Sequence, residues 1–394
     1  MSTGCYSSLE GYCDRYEYPI NYCLSESADP KCRLHFNTVI AVIVTVLNFF
    51  KAVLMFYIVY STKENPLMTI GDAVASFLDE KDVSTKGSGL QSLTDLKKDY
   101  SVGVRTWDAQ RRRWKDATSR KRRFVTLALF TVTLGLVIGL LIWGVREMNQ
   151  TQSTKTYDAL RLGFGALDPR TVISSGSFPT DMVSLTLIAN LPQLILSFLY
   201  FAYNGLFTAM LMGYEWLSYA HKRKGLRISR RPVKHQRSTY FLQLPYRFSL
   251  PLVVLSGTLH WLVSQSLFVV AFDVYRKNGD EQTISLGWLS DAVTRSVGYS
   301  PTAMLAVIIL GILMVFTVVG AGYIPYRSDM PLAGSCSLAI SAACHPDQYS
   351  DERDEVMSEQ KLQWGVDSTS ADGIGHCAFS SREVGPLIRG RMYM

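Results

Sequence analysis

The residues best placed to do chemistry lie in the third and fourth of five apolar blocks. Asn190, Gln193, Ser197, Tyr200, Asn204 and Thr208 recur at three- and four-residue steps, which puts them on one face of a helix. Ser256, His260 and Ser264 recur at four-residue steps, with Gln265 beside them. Polar groups that face hydrocarbon are costly, so both stripes must face protein or water. Facing water, they would line a hydrophilic path or a midplane ligand site. Pro192 would then interrupt the third helix, as the broken helices of transporters are interrupted. Facing each other, they would hydrogen-bond between helices, at roughly 0.6 kcal/mol per contact. The second role is the expected one.

Other chemistry-bearing residues are sparser. Lys51 lies toward the end of the first block and is expected to snorkel or serve structure, with Glu215 as a partner to consider. Cys336, Cys344-His345 and His376-Cys377 are zinc-type ligands, but their spacing is not a CxxC pair. Buried or acylated thiols are the expectation, with no metal and no cofactor. His260 with an intramembrane Asn resembles the pair in membrane-bound O-acyltransferases, but five spans are too few for that fold. Walker, HExxH, GxSxG and dinucleotide motifs are absent from the sequence, so an enzyme is not expected.

These residues need elements to position them. Blocks at 38–60, 124–145, 182–212, 248–272 and 302–323 are apolar over the ~20 residues that a bilayer core requires. In hydrocarbon every backbone donor and acceptor must be paired internally, which leaves helices or closed barrels. Continuous rather than alternating apolarity excludes barrel strands. The expected fold is therefore an all-α transmembrane bundle of about five spans, with the lipid bilayer as its main partner.

Lys and Arg give the bundle a direction. The 61–123, 213–247 and 324–394 segments hold 29 of them, while the 1–37, 146–181 and 273–301 segments hold 10. The basic side is cytoplasmic, so the N-tail is outside and the C-tail inside. The net charge of +7 belongs to this asymmetry, and no nucleic-acid motif accompanies it. The start shows no basic stretch followed by an apolar one, so the first block should act as its own insertion signal.

The outer face should then be oxidising. Cys5, Cys13, Cys23 and Cys32 form an even set in the N-tail and suit two disulfides of open pairing. Asn149-Gln150-Thr151 is a glycosylation sequon on the same side. On the inner side, eight of the thirteen residues from Arg111 to Arg123 are basic. Arg111, Arg112, Arg113, Lys121, Arg122 and Arg123 could meet anionic lipid headgroups, at ~1 kcal/mol per charge, or simply anchor the topology. The 221–237 run reads the same way. Thr131, Gly135 and Gly139 have small-residue spacing for close helix packing, within the chain or in a homo-oligomer.

The inner segments show some order of their own. Leu67, Ile70, Val74, Phe77 and Leu78 share a helical face that should lie on the membrane or the bundle. The 324–394 tail has short strand candidates in WGVDS, HCAFSS and PLIRGRMYM.

Longer strings carry a likeness. ANLPQLILSFLYFAYNGLFTAMLMGYEWLSYAHKRKGLRIS, QRSTYFLQLPYRFSLPLVVLSGTLHWLVSQSLFV, GYSPTAML and MPLAGSCSLAISAACHP, then WGV and GHCAFSS, resemble a family of uncharacterised polytopic membrane proteins of filamentous fungi. That family is defined by a domain of unknown function. PLMTIGDAVASFLDEKD and the RRRW stretch resemble it too. Members usually carry a further N-terminal membrane region, and the resemblance implies that this chain lacks most of it. It implies no activity, cofactor or ligand. The expected function is therefore a non-enzymatic scaffold or sensor, with a transporter or channel using a polar path between the third and fourth helices as the alternative, and a membrane enzyme disfavoured.

Overall fold

A computed structural model describes residues 37–61, 66–92, 103–109, 111–151, 160–166, 168, 171–173, 181–241, 244–273, 293–327, 330–347 and 356–394. The chain divides into two units, 1–61 and 62–394. In the first, α1 (Thr38–Ser61) is a single apolar helix with Lys51 exposed on its surface. The N-tail cysteines lie outside the described residues.

The second unit holds four long helices: α3 (Arg120–Thr151), α4 (Met182–Leu217), α5 (Tyr246–Ser266) and α6 (Pro301–Gly322). Together with α1, these are five helices long and apolar enough to cross a membrane. Helix α6 packs on α3 and α5, and α4 packs on α5 and α3. The outside of this bundle is apolar, with Leu187, Phe198, Phe201, Val254 and Phe316 all exposed, which is compatible with contact with lipid.

The helices start where the sequence supplies caps. Asp181 accepts from Ser184 N at 2.8 Å, and Ser300 caps α6 with Pro301 as its first residue. Pro192 sits inside an unbroken α4, unlike the interrupted helix that the alternative, hydrophilic-path reading would need. The fourth apolar block is also not one helix. Helix α5 ends at Ser266, and LFVVAFD becomes strand β5 (Leu267–Asp273), paired antiparallel with β6 (Val293–Tyr299). The run is rich in β-branched and aromatic residues, which suit a strand. At 1.5 Å per residue, the 21 residues of α5 already span about 31 Å.

The two ends of the bundle differ. At one end lies the β5–β6 hairpin. Tyr299 packs against Gly144 of α3 and donates to its carbonyl at 2.9 Å, while Thr302 donates to Leu160 O at 2.9 Å. At the other end a five-stranded sheet forms, in the order β1 (Arg105–Thr106), β9 (Met392–Tyr393), β8 (Gly375–Ser380), β7 (Lys361–Thr369), β2 (Lys224–Gly225). All neighbours are antiparallel except β8 and β9. The second unit is therefore the expected helical bundle with a five-stranded sheet added at one end. The strands expected in the tail are those of β7, β8 and β9.

Helix α2 (Ile70–Asp79) belongs to the sheet end. Its N-cap Thr69 and Asp72 form a reciprocal capping box. Ile70, Val74, Ala75 and Leu78 are buried against α7 (Ser337–Ala342) and β3 (Arg227–Ile228). The apolar face expected on the membrane or bundle is covered by this domain, and Leu67 alone of the five is exposed. Asp72 is buried. Its Oδ1 accepts from Ser229 N at 2.9 Å and its Oδ2 from Thr69 N at 2.8 Å. Gly71 permits this approach, because a Cβ there would lie 2.0 Å from Arg227 O.

Gly71→Ala should therefore cost about 1–3 kcal/mol through overpacking against backbone. Gly135→Ala, which meets open space, should cost nothing measurable. Thermal unfolding of both variants in detergent checks the contrast, and equal behaviour would contradict the close packing of α2 on β3.

Candidate functional site

The polar stripes of α4 and α5 meet at one pair. Gln193 Nε2 donates to His260 O at 2.9 Å, and Gln193 Oε1 lies 2.6 Å from His260 Nδ1. A carboxamide oxygen only accepts, so this assignment puts the His260 proton on Nδ1. Four of the other stripe residues turn back on their own helices. Asn190 donates to Thr186 O at 2.8 Å, Ser197 to Gln193 O at 2.9 Å, Thr208 to Asn204 O at 2.8 Å and Ser264 to Trp261 O at 2.7 Å. Asn190, Ser197 and Ser264 are exposed, while Tyr200, Asn204 and Ser256 are half-buried. The structure thus brings Gln193 and His260 together and does not gather the rest.

The interior between the four helices is apolar. A cleft of about 130 Å³ is lined by Leu134, Val137, Leu196, Leu199, Leu259 and Val307, among others. Gly135 and Gly139 face away from the helix neighbours, with nothing within 4 Å of an added Cβ. Asn149 is exposed near the end of α3.

The sheet end carries the charge. Trp114 is buried in a ring cluster with Tyr214, Phe248 and Tyr326, at 6.2, 6.4 and 6.2 Å between centroids. The basic run flanks it. Arg113 and Lys115 both cover the Tyr323 ring, at 5.4 and 4.5 Å. Arg123 donates to Lys115 O, and Arg122 lies against Gly205. Arg111 and Lys121 are exposed, and the Arg112 carbonyl accepts from Tyr326 N at 2.9 Å.

A second basic group, within the 221–237 run expected to meet anionic headgroups or anchor the topology, is organised around Glu215. Arg227 Nε and Arg237 Nη2 reach Glu215 Oε1 at 3.1 and 3.4 Å. Lys224 Nζ donates to Glu215 O at 3.2 Å and sits 4.1 Å above the Tyr219 ring. Burial pulls the Lys224 ammonium down to about 8, with Arg237 and Arg227 adding to the effect and Glu215 opposing it. Glu215, considered as a partner for Lys51, is engaged by these two arginines. The signal that could have revealed the group was the placing of Lys224, Arg227 and Arg237 in short strands that begin seven positions after the end of Glu215's helix; a charge count cannot show it.

The cysteines and histidines of the tail are used internally. His345 Nε2 lies 2.9 Å from Thr85 Oγ1, and His376 Nε2 lies 2.5 Å from His345 O. Burial pushes the Cys377 thiol up to about 12 and the Cys344 thiol higher still. Among the described residues, Cys336, Cys344 and Cys377 are unpaired by disulfides, and no three His, Cys, Asp or Glu side chains are grouped to hold a metal.

A family described as a domain of unknown function (DUF8419) matches residues 99–383. No curated protein and no solved structure matches the chain. The match takes in most of the strings that carry the sequence resemblance. It begins after α2, although α2 is packed into the same sheet domain.

Gln193→Leu should cost about 1 kcal/mol, within the range of interhelical hydrogen bonds in membranes. A double-mutant cycle with His260→Leu should give coupling of similar size in an unfolding assay. Zero coupling would mean that the pair does not tie α4 to α5.

Proposed function

We propose that this chain, which belongs to the DUF8419 family of unknown function, is a non-enzymatic five-span membrane protein acting as a scaffold or sensor. Its N-terminus is outside and its sheet domain is in the cytoplasm. One observation supports the orientation: of the segments that hold most of the Lys and Arg, 61–123, 213–247 and 324–394, the described parts pack together at the sheet end. The hairpin end holds few. Cytoplasmic segments carry the excess of basic residues, so the sheet end is assigned to the cytoplasm and the hairpin, with Asn149, to the outside.

The non-transport reading rests on the bundle interior. A hydrophilic path needs polar groups open to water at the midplane. Here Gln193 and His260 satisfy each other, Asn190, Ser197, Thr208 and Ser264 bond to their own helices, and the central cleft is largely apolar. The folded sheet domain supplies the surface that a scaffold or sensor requires.

Two measurements on one preparation test the reading. Single cysteines introduced at the exposed positions Arg161 and Asp372 are probed with membrane-impermeant maleimide on intact cells. Labelling at position 161 and protection at 372 is the expected result; the reverse would invert the topology. Liposomes carrying the chain should show no more ion or small-solute flux than empty ones, and flux lost on His260→Leu would overturn the non-transport reading.

A further inference from the structure

The basic group around Glu215 is one wall of a crevice. Its volume is about 520 Å³, within the range of small-molecule sites. Three elements build it. Helix α4 contributes Thr208, Leu211, Met212 and Glu215; the short strands contribute Lys224, Arg227 and Arg237; and the start of α5 contributes Pro245, Tyr246 and Arg247. Tyr240 lies between them, accepting from Arg227 Nη2 at 3.1 Å and meeting the Tyr246 ring edge-on at 5.8 Å.

The charges do not balance. Arg227 and Arg237 share the single carboxylate of Glu215, Lys224 sits beside them on the Glu215 main-chain oxygen, and exposed Arg247 adds a further cation at the rim. A half-buried excess of about two positive charges is costly when left to itself. Arginine forks and a compact ammonium are the groups that recognise a phosphoryl dianion. Helix α5 also opens into the crevice without a side-chain cap, and uncapped first-turn amides favour an anion.

The position of the crevice narrows the ligand further. Tyr246 and Arg247 are the first residues of a helix long and apolar enough to cross a membrane. A Tyr-Arg rim at such a helix end is typical of the headgroup level. The floor on α4 is apolar, through Leu211 and Met212.

We propose that this crevice binds the phosphomonoester headgroup of an anionic lipid of the cytoplasmic leaflet, such as a phosphorylated phosphoinositide. Lys224, Arg227 and Arg237 contact the phosphoryl group, and Arg247 closes the rim. This deepens the membrane reading and rests on it in two respects, that the start of α5 lies at the bilayer surface and that the sheet end faces the cytoplasm.

The affinity should depend on pH through Lys224. The groups facing its ammonium are Glu215 of α4, Ser218 just after it, the Tyr219 ring, and Arg227, Arg237 and Lys222 of the following strands and turn. Burial raises the Tyr219 phenol above the usual tyrosine range, so it stays neutral. A phosphomonoester is already a dianion above about pH 7. Between pH 7 and 9.5 the change is therefore loss of the Lys224 proton, and binding should weaken as pH rises through and above about 8.

The test uses the full chain in detergent, with short-chain phosphatidylinositol 4-phosphate, short-chain phosphatidylinositol and inorganic phosphate as probes. The phosphorylated lipid should bind at least ~10-fold tighter than either of the others, about 1.4 kcal/mol. Arg237→Gln and Lys224→Gln should each weaken it by ~10-fold or more. Arg247→Gln at the exposed rim, where folding is not at risk, should weaken it by ~3-fold, and Lys121→Gln on the other basic run should leave it unchanged.

Equal loss with Lys121→Gln would mean diffuse charge attraction and overturn the site. Inorganic phosphate binding as tightly as the lipid would overturn the lipid assignment. Because the assay is in detergent, its failure is separate from failure of the topology, which the maleimide labelling reads by itself.

Discussion

Helix α4 is longer than a membrane is thick, and the rest of the second unit is arranged around that fact. Its 36 residues extend about 54 Å at 1.5 Å per residue, against a hydrocarbon core of about 30 Å. The surplus must be covered by protein or water. It is covered by protein: Leu206, Phe207, Met210, Leu211 and Trp216 are all buried at the sheet end. Trp216 Nε1 donates to Pro331 O at 2.9 Å and its ring meets Phe379 edge-on at 5.4 Å. Tyr326 donates to Met210 O at 2.6 Å. On the proposed membrane reading one rod thus serves two environments.

The same constraint explains the economy of polar groups in the bundle. In hydrocarbon an unpaired polar side chain has no water to turn to. The chain meets this with short local bonds, a hydroxyl or amide to the carbonyl one turn back, and with the Gln193–His260 link between helices. A stripe of polar residues at helical spacing is therefore not by itself a path. At the sheet end, where water is available, the polar groups are instead concentrated and left in excess, as around Glu215.

Much of the fold was legible in the sequence, for physical reasons. The long apolar blocks stand out because no soluble core needs 20 or so consecutive apolar residues. The tail strands were legible from β-branched and aromatic runs between glycines. Three things were not. The residues after Ser266 continue the apolarity of α5, and hydropathy does not distinguish a helix from the strand that β6 pairs with. Whether Pro192 breaks the third helix, as the alternative path reading would have it, is not legible from sequence, and it is tolerated within a continuous helix. The apolar face of α2 reads as a membrane face because its true cover, α7, is 258 residues further on at its nearest. For the site, the Gln193–His260 pair followed from helical spacing. The Glu215 group did not, because it depends on how short strands fold back on a helix end.

The central claim is that α4 crosses the bilayer with its first part and enters the sheet domain with its last. Spin labels placed one at a time along 184–217 in nanodiscs would read this directly, through accessibility to oxygen and to a water-soluble nickel reagent. The account predicts lipid-type oxygen accessibility at outward positions such as Leu187, Phe198 and Phe201, and protection from both reagents at Met210 and Trp216. Oxygen accessibility continuing to Trp216, or nickel accessibility at Phe198, would contradict it.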